Sequence, residues 1–97
     1  MIRHMVLFRW IPEATQEQRQ RVVTELGRLS ALLPTLRAYR IGPDLGLVEG
    51  NFDFAVAADF DDLDGYLAYR DNPAHRAVIA EFIRPIAAQR AAAQYEF

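Results

Sequence analysis

Alternate residues of the first strand-like stretch fall into two sets of different character. Ile2, His4, Val6, Phe8 and Trp10 share one side of an extended chain, and Arg3, Met5, Leu7 and Arg9 share the other. A period of two predicts a strand, which Pro12 bounds. The period then changes. Thr15 followed by Gln18 matches a capping box, and Glu13 and Glu17 stand near the positive end of the helix dipole. Val22, Leu26, Leu29 and Leu33, supported by Val23 and Leu32, keep helical spacing up to Pro34. Thr35 to Ile41, entered through Leu36, predicts a second strand, and "GPDLGLVEGN" a glycine-punctuated loop.

Phe52 to Phe60 alternates again, with Phe52, Phe54, Val56, Ala58 and Phe60 opposed to Asp53, Ala55, Ala57 and Asp59. Asp61 or Asp62 can cap a short helix carrying Leu63, Tyr66, Leu67 and Tyr69. Asn72 and Pro73 suit the start of another, with Val78, Ile79 and Phe82 on one face and an end near Pro85. The tail Ala91 to Phe97 fits a last strand, although its alanines also suit a helix.

The order β-α-β-β-α-β is that of the ferredoxin-like α+β fold, an antiparallel sheet with helices on one face. The other face would carry Arg3, Met5, Leu7 and Arg9 beside Asp53, Ala55, Ala57 and Asp59. A purely solvated face does not usually carry Met5 and Leu7 with two alanines. A second copy, packed sheet on sheet, is the expected cover, which predicts a homodimer.

Composition narrows the function. Ninety-seven residues make one domain, 1–97, and 52% hydrophobic with 25% charged residues is ordinary for a soluble globular chain. A net charge of −2 offers no basic stripe for nucleic acid. Without cysteine there is no disulfide, thiolate metal site or cysteine nucleophile. No run approaches the roughly 20 apolar residues of a membrane span, and the N-terminus has no signal-peptide pattern. The expectation is a cytoplasmic protein that binds neither membrane nor nucleic acid.

The chain has two histidines, His4 and His75. His75 would be the third residue of the helix that starts at Pro73, where the helix dipole and burial both favour a neutral ring. Its spacing to Val78, Ile79 and Phe82 turns it toward the apolar side, where a neutral imidazole can act as a general base. The plainer reading is a core histidine with both nitrogens satisfied. His4 shares a strand face with Val6 and Phe8, so both rings point into the same sheet–helix layer. Tyr69 can donate to a developing oxyanion, and Tyr66 competes for that inward place. Phe8, Trp10, Phe54, Tyr66 and Phe82 are candidates for an apolar ligand wall, or for plain core. The acidic run "DFDDLD" has its glycine and twelfth residue wrong for a calcium loop. The histidines lack metal-ligand spacing, so no metal or cofactor is expected.

Three stretches, "IRHMVLFRW", "FDFAVAADFDDLDGYLAY" and "NPAH", resemble the stress-responsive A/B barrel domain family of the dimeric α+β barrel superfamily. The resemblance implies a dimer whose two sheets close a barrel with the helices outside. Many members have no assigned activity, and some plant members are linked to stress responses. One branch cyclises a linear polyketide by aldol condensation without cofactor or metal. By that resemblance its pocket residues fall on His4, His75 and Tyr69: His75 as base, His4 as an orienting or protonating partner, Tyr69 as a donor to oxygen. The expected ligand is a small hydrophobic carbonyl compound of polyketide-like build. A non-catalytic stress-response or structural dimer module is the alternative. A cofactor-free monooxygenase is a third, to which no residue here points.

Overall fold

A computed structural model describes all residues 1–97. Its first strand, β1 (Ile2–Trp10), is paired on both edges, which satisfies its backbone hydrogen-bonding groups along the strand. On one edge lies β3 (Phe54–Phe60), antiparallel, running from Ile2↔Phe60 to Phe8↔Phe54. On the other lies β4 (Ala87–Glu96), also antiparallel, from Ile2↔Glu96 to Trp10↔Ala87 with an irregularity at Arg9/Trp10. The hairpin partner of β3, β2 (Leu36–Pro43), completes the order β2-β3-β1-β4 of a ferredoxin-like sheet.

Helix α1 (Gln16–Leu29) begins with both halves of the capping box. The Gln18 N–H donates to Thr15 Oγ1 at 3.1 Å and the Thr15 N–H to Gln18 Oε1 at 2.9 Å. Its buried stripe is the expected one, Val22, Leu26 and Leu29, continued by Leu33. Leu32 departs from it and is 60% exposed. The chain tightens into a 3₁₀ turn over Ser30–Leu32, and three residues per turn rotate Leu32 off the stripe. Of the two capping candidates for α2 (Leu63–Asp71), Asp62 takes the position and accepts from the Gly65 N–H at 2.8 Å. Asp61 pairs instead with Arg37 at 2.8 Å. Asn72 caps α3 (Pro73–Val78), accepting from Ala74 and His75. The helix then widens into a π turn, Ile79–Ile83, and tightens into a 3₁₀ turn, Arg84–Ile86. No helix is long and apolar enough to cross a membrane.

Two strand boundaries differ from the alternation. β3 begins at Phe54 rather than Phe52, because Asp53 is occupied in closing the end of β1: its carboxylate accepts the Trp10 N–H at 2.8 Å and its own N–H donates to the Phe8 carbonyl at 2.8 Å. β4 begins at Ala87, four residues before the expected Ala91, and its alanines are strand rather than helix. Alanine favours a helix locally. The free edge of β1 overrides that preference with a ladder that runs the length of the strand.

The helices all pack on the face bearing Val6, Phe8, Phe54, Val56, Ala58 and Phe60, burying these against α1 and the Ile83–Ile86 segment. The opposite face bears Met5 and Leu7 with Ala55, Ala57, Ala91 and Ala93. Leu7 there is 38% exposed. Arg3 binds the Asp59 carboxylate through two nitrogens, at 2.7 and 2.9 Å, and holds that carboxyl below the usual carboxylate range.

Leu29→Ala should cost about 2–5 kcal/mol of unfolding free energy in urea melts, as for a filled core site. Leu32→Ala, three residues on, should stay within about 0.5 kcal/mol of the parent.

Candidate functional site

A cavity of about 420 Å³ lies between the helix-covered face of the sheet and the segment from α2 to the 3₁₀ turn before β4. Its floor is His4, Val6 and Phe8 of β1 with Val56 of β3 and Tyr39 of β2, and its roof is Leu26, Tyr69, His75, Ile79 and Ile83. The π turn sets which residues reach it. Four residues overshoot one α-helical turn of about 3.6 residues and undershoot a π turn. In the mixed segment the steps compensate, so His75, Ile79 and Ile83 line up over the cavity, as do Arg76, Ala80 and Arg84. The regular-helix face of Val78, Ile79 and Phe82 is therefore split. Phe82 lies away from the cavity, half-buried against the core and beneath the Arg21 guanidinium of α1, 5.2 Å from its ring centre.

Register places His4. It stands between Ala58 of β3 and Gln94 of β4, and the Gln94 amide lies 2.8 Å from its Nδ1. Donation by that amide requires an unprotonated Nδ1, which puts the proton of neutral His4 on Nε2. Tyr69 packs on His75 with ring centres 4.2 Å apart and meets His4 edge-on at 5.8 Å. Tyr69 thus sits between the two imidazoles and is only 4% exposed.

Burial, followed by the positive charge of Arg90 and the neighbouring His75, pulls the His4 pKa down to about 4. His75 is also lowered, by burial first; the Arg70 backbone beside the ring opposes this and the Arg76 charge adds to it. Burial drives the Tyr69 phenol above the usual range and the Tyr39 phenol up to about 12. At neutral pH the cavity therefore presents two neutral imidazoles and two protonated phenols. Two buried side-chain atoms, Tyr39 Oη and His75 Nδ1, have no hydrogen-bond partner. Both residues line this cavity.

Of the residues singled out from the sequence, His4, His75, Tyr69 and Phe8 come together here. Tyr66 touches the His4 ring, with centres 5.1 Å apart, but lies behind the lining, so Tyr69 takes the inward place. Trp10 stacks on Phe8 and packs on Phe54 further along β1, and neither reaches the cavity. Phe82 packs on the core beneath Arg21 and does not reach the cavity either. Tyr39 was not singled out, although alternation along Thr35 to Ile41 puts it on the Ile41 side, opposite Arg40. Gln94 and Arg90 carried no sequence signal, because their place depends on the β1–β4 register.

The fold and cavity define a ferredoxin-like α+β protein with a sheet–helix pocket lined by two imidazoles and two phenols. The chain belongs to the stress responsive A/B barrel domain family, whose model matches residues 2–97. Among solved structures it is similar to a dimeric ferredoxin-like protein of unknown function from Thermobifida fusca, at 49% identity over 99% of this chain and 90% of that one, with a TM-score of 0.92. It is also similar to a dimeric protein of unknown function and ferredoxin-like fold from Bacteroides fragilis, at 24% identity over 99% and 95% of the chains, TM-score 0.83. The hydroxynitrile lyase of Passiflora edulis shares the fold at 22% identity over 97% and 90%, TM-score 0.83. No curated protein matches the sequence.

The lowered pKa of His4 has a stability consequence. In the unfolded chain the ring protonates near its ordinary 6.5, and in the folded chain only near 4. Between those values the folded state binds fewer protons, so stability falls as pH drops from about 6.5 to about 4. Imidazole NMR should show His4 neutral through pH 6.5, with its titration step displaced toward 4. A step at 6.5 would mean a hydrated ring.

Proposed function

We propose that the protein is a homodimer that binds a small, largely apolar carbonyl compound of polyketide-like build beside His4 and His75, and converts it by acid–base chemistry without a cofactor. The observation that carries this reading is the pair of orphaned polar atoms. Buried polar atoms are as a rule hydrogen-bonded within the protein, and leaving one unmade costs about 1–3 kcal/mol. Tyr39 and His75 both line one cavity, and their Oη and Nδ1 are buried without a partner, so a ligand that settles between these side chains with an acceptor for one and an acidic proton for the other relieves both costs at once.

The chemistry follows from the protonation states. Neutral His75 takes a proton from carbon next to the carbonyl. The negative charge that develops on the carbonyl oxygen needs a donor that has kept its proton, and the raised pKa of Tyr69 keeps its hydroxyl protonated. Tyr39 offers a second hydroxyl of the same kind. His4, fixed by Gln94 with its proton on Nε2, orients the ligand or returns a proton. The same fold serves a hydroxynitrile lyase, so the architecture by itself selects no reaction and the side chains must.

The dimer is supported by the uncovered sheet face and by the 49% identical Thermobifida fusca relative, itself dimeric. Met5, Leu7 and four alanines form a flat apolar strip between charged ends, the pattern of an interface with a polar rim. Ala57→Glu should shift the sedimenting species from dimer to monomer at micromolar concentration. A wild type that sediments as monomer would contradict the assembly.

Phenylacetone in D₂O tests the site. The wild type should be stabilised in thermal shift and should accelerate deuterium uptake next to the carbonyl, and His75→Ala should lose about 100-fold or more of that acceleration. Stabilisation without accelerated exchange would leave a binding module and remove the acid–base role.

A further inference from the structure

The cavity wall is one-sided in charge. Of its fifteen lining residues none is acidic and four are arginines, Arg70, Arg76, Arg84 and Arg90, on a chain whose net charge is −2. Three come from the helical roof, at the end of α2, in α3 and in the 3₁₀ turn, and the fourth, Arg90, comes from β4 across the cavity. Arg70 and Arg76 share the Asp71 carboxylate, at 2.9 and 3.8 Å. Arg84 and Arg90 have neither an ion pair nor a side-chain hydrogen bond within the chain. All four are exposed, which places them at the mouth, while Val6, Phe8, Val56 and Ile83 form the buried interior.

Arg90 also reaches the polar groups of the cavity floor. It lies opposite Phe8, on the side of the sheet that carries His4, four residues before the Gln94 that holds His4. Its charge acts on both His4 and Tyr69. A low-dielectric recess rimmed by charge of one sign concentrates the potential inside it. A guanidinium fork matches a carboxylate through two parallel hydrogen bonds.

We propose that the ligand of this cavity carries a carboxylate, bound by Arg84 and Arg90 at the mouth, while its apolar body lies inward on Val6, Phe8, Val56 and Ile83. This rests on the reading of the cavity as a ligand site, and it narrows the substrate class from a neutral carbonyl compound to an apolar oxo acid. It also gives the site a direction. With the carboxylate held outside, the far end of the ligand is the part delivered to His75, Tyr69 and Tyr39.

The test is isothermal titration of the full chain with 2-naphthoate and with its neutral counterpart 2-naphthamide. The carboxylate should bind about 10-fold or more tightly than the amide, as charge-assisted hydrogen bonds would give. Arg84→Gln and Arg90→Gln should each weaken naphthoate several-fold, and together they should abolish the preference with naphthamide unchanged. Arg76→Gln, whose charge is already partnered, should change it less. Should the double variant misfold, added NaCl on the wild type must erode the same preference. Equal affinity for both probes, or a preference that survives the double variant or high salt, overturns the carboxylate while leaving the cavity reading intact. Binding of neither probe overturns both.

Discussion

The pairing of β1 along both edges is the constraint on which the rest depends. As a strand between β3 and β4, it divides its side chains between two faces that each need a cover. One face is covered by the helices of the same chain and becomes core and cavity. The other keeps Met5 and Leu7 among alanines, flanked by the Arg3–Asp59 pair. A slip of one residue in either ladder would exchange the faces. It would bring Arg3 into the core and turn His4 away from Gln94. The register thus sets the assembly surface and the site together.

Within the site, burial and charge act in the same direction. Both imidazoles lie under apolar cover and near guanidinium groups, and each effect disfavours the protonated ring. Hydrogen bonding distinguishes the two. His4 has its Nδ1 occupied by Gln94, whereas His75 Nδ1 has no partner. The first is therefore a fixed, oriented group, and the second keeps a nitrogen without a partner. The π turn is part of the same device, because a regular helix would have turned Ile83 and Arg84 away from the cavity that His75 faces.

Much of the architecture was legible in the chain. The alternation of Ile2 to Trp10 marks β1 at both ends, and Thr15–Gln18 and Asn72–Pro73 mark two helix starts. These are local rules, satisfied by neighbours in sequence. The site was legible in part. His4, His75 and Tyr69 were visible because a polar group on an apolar face is conspicuous. Tyr39 was legible in principle from its strand alternation. Trp10, Phe54 and Phe82 show the opposite difficulty: aromatics at strand and helix spacing look alike whether they line a cavity, as Phe8 does, or pack in and against the core beside it, as these three do.

The sequence by itself determined that Ile2–Trp10 is a strand, where two helices begin, and that this first strand has two unlike faces. These depend on periodicity and capping, which act over a few residues. The tertiary structure decided that the alanine-rich tail is a strand, that Gln94 meets His4, and that Arg90 of β4 joins the arginines of the helical roof at one cavity. Each of those depends on contacts between residues distant in the chain. Such contacts are set by the ladder register and the packing of helices on the sheet, and no local pattern carries them.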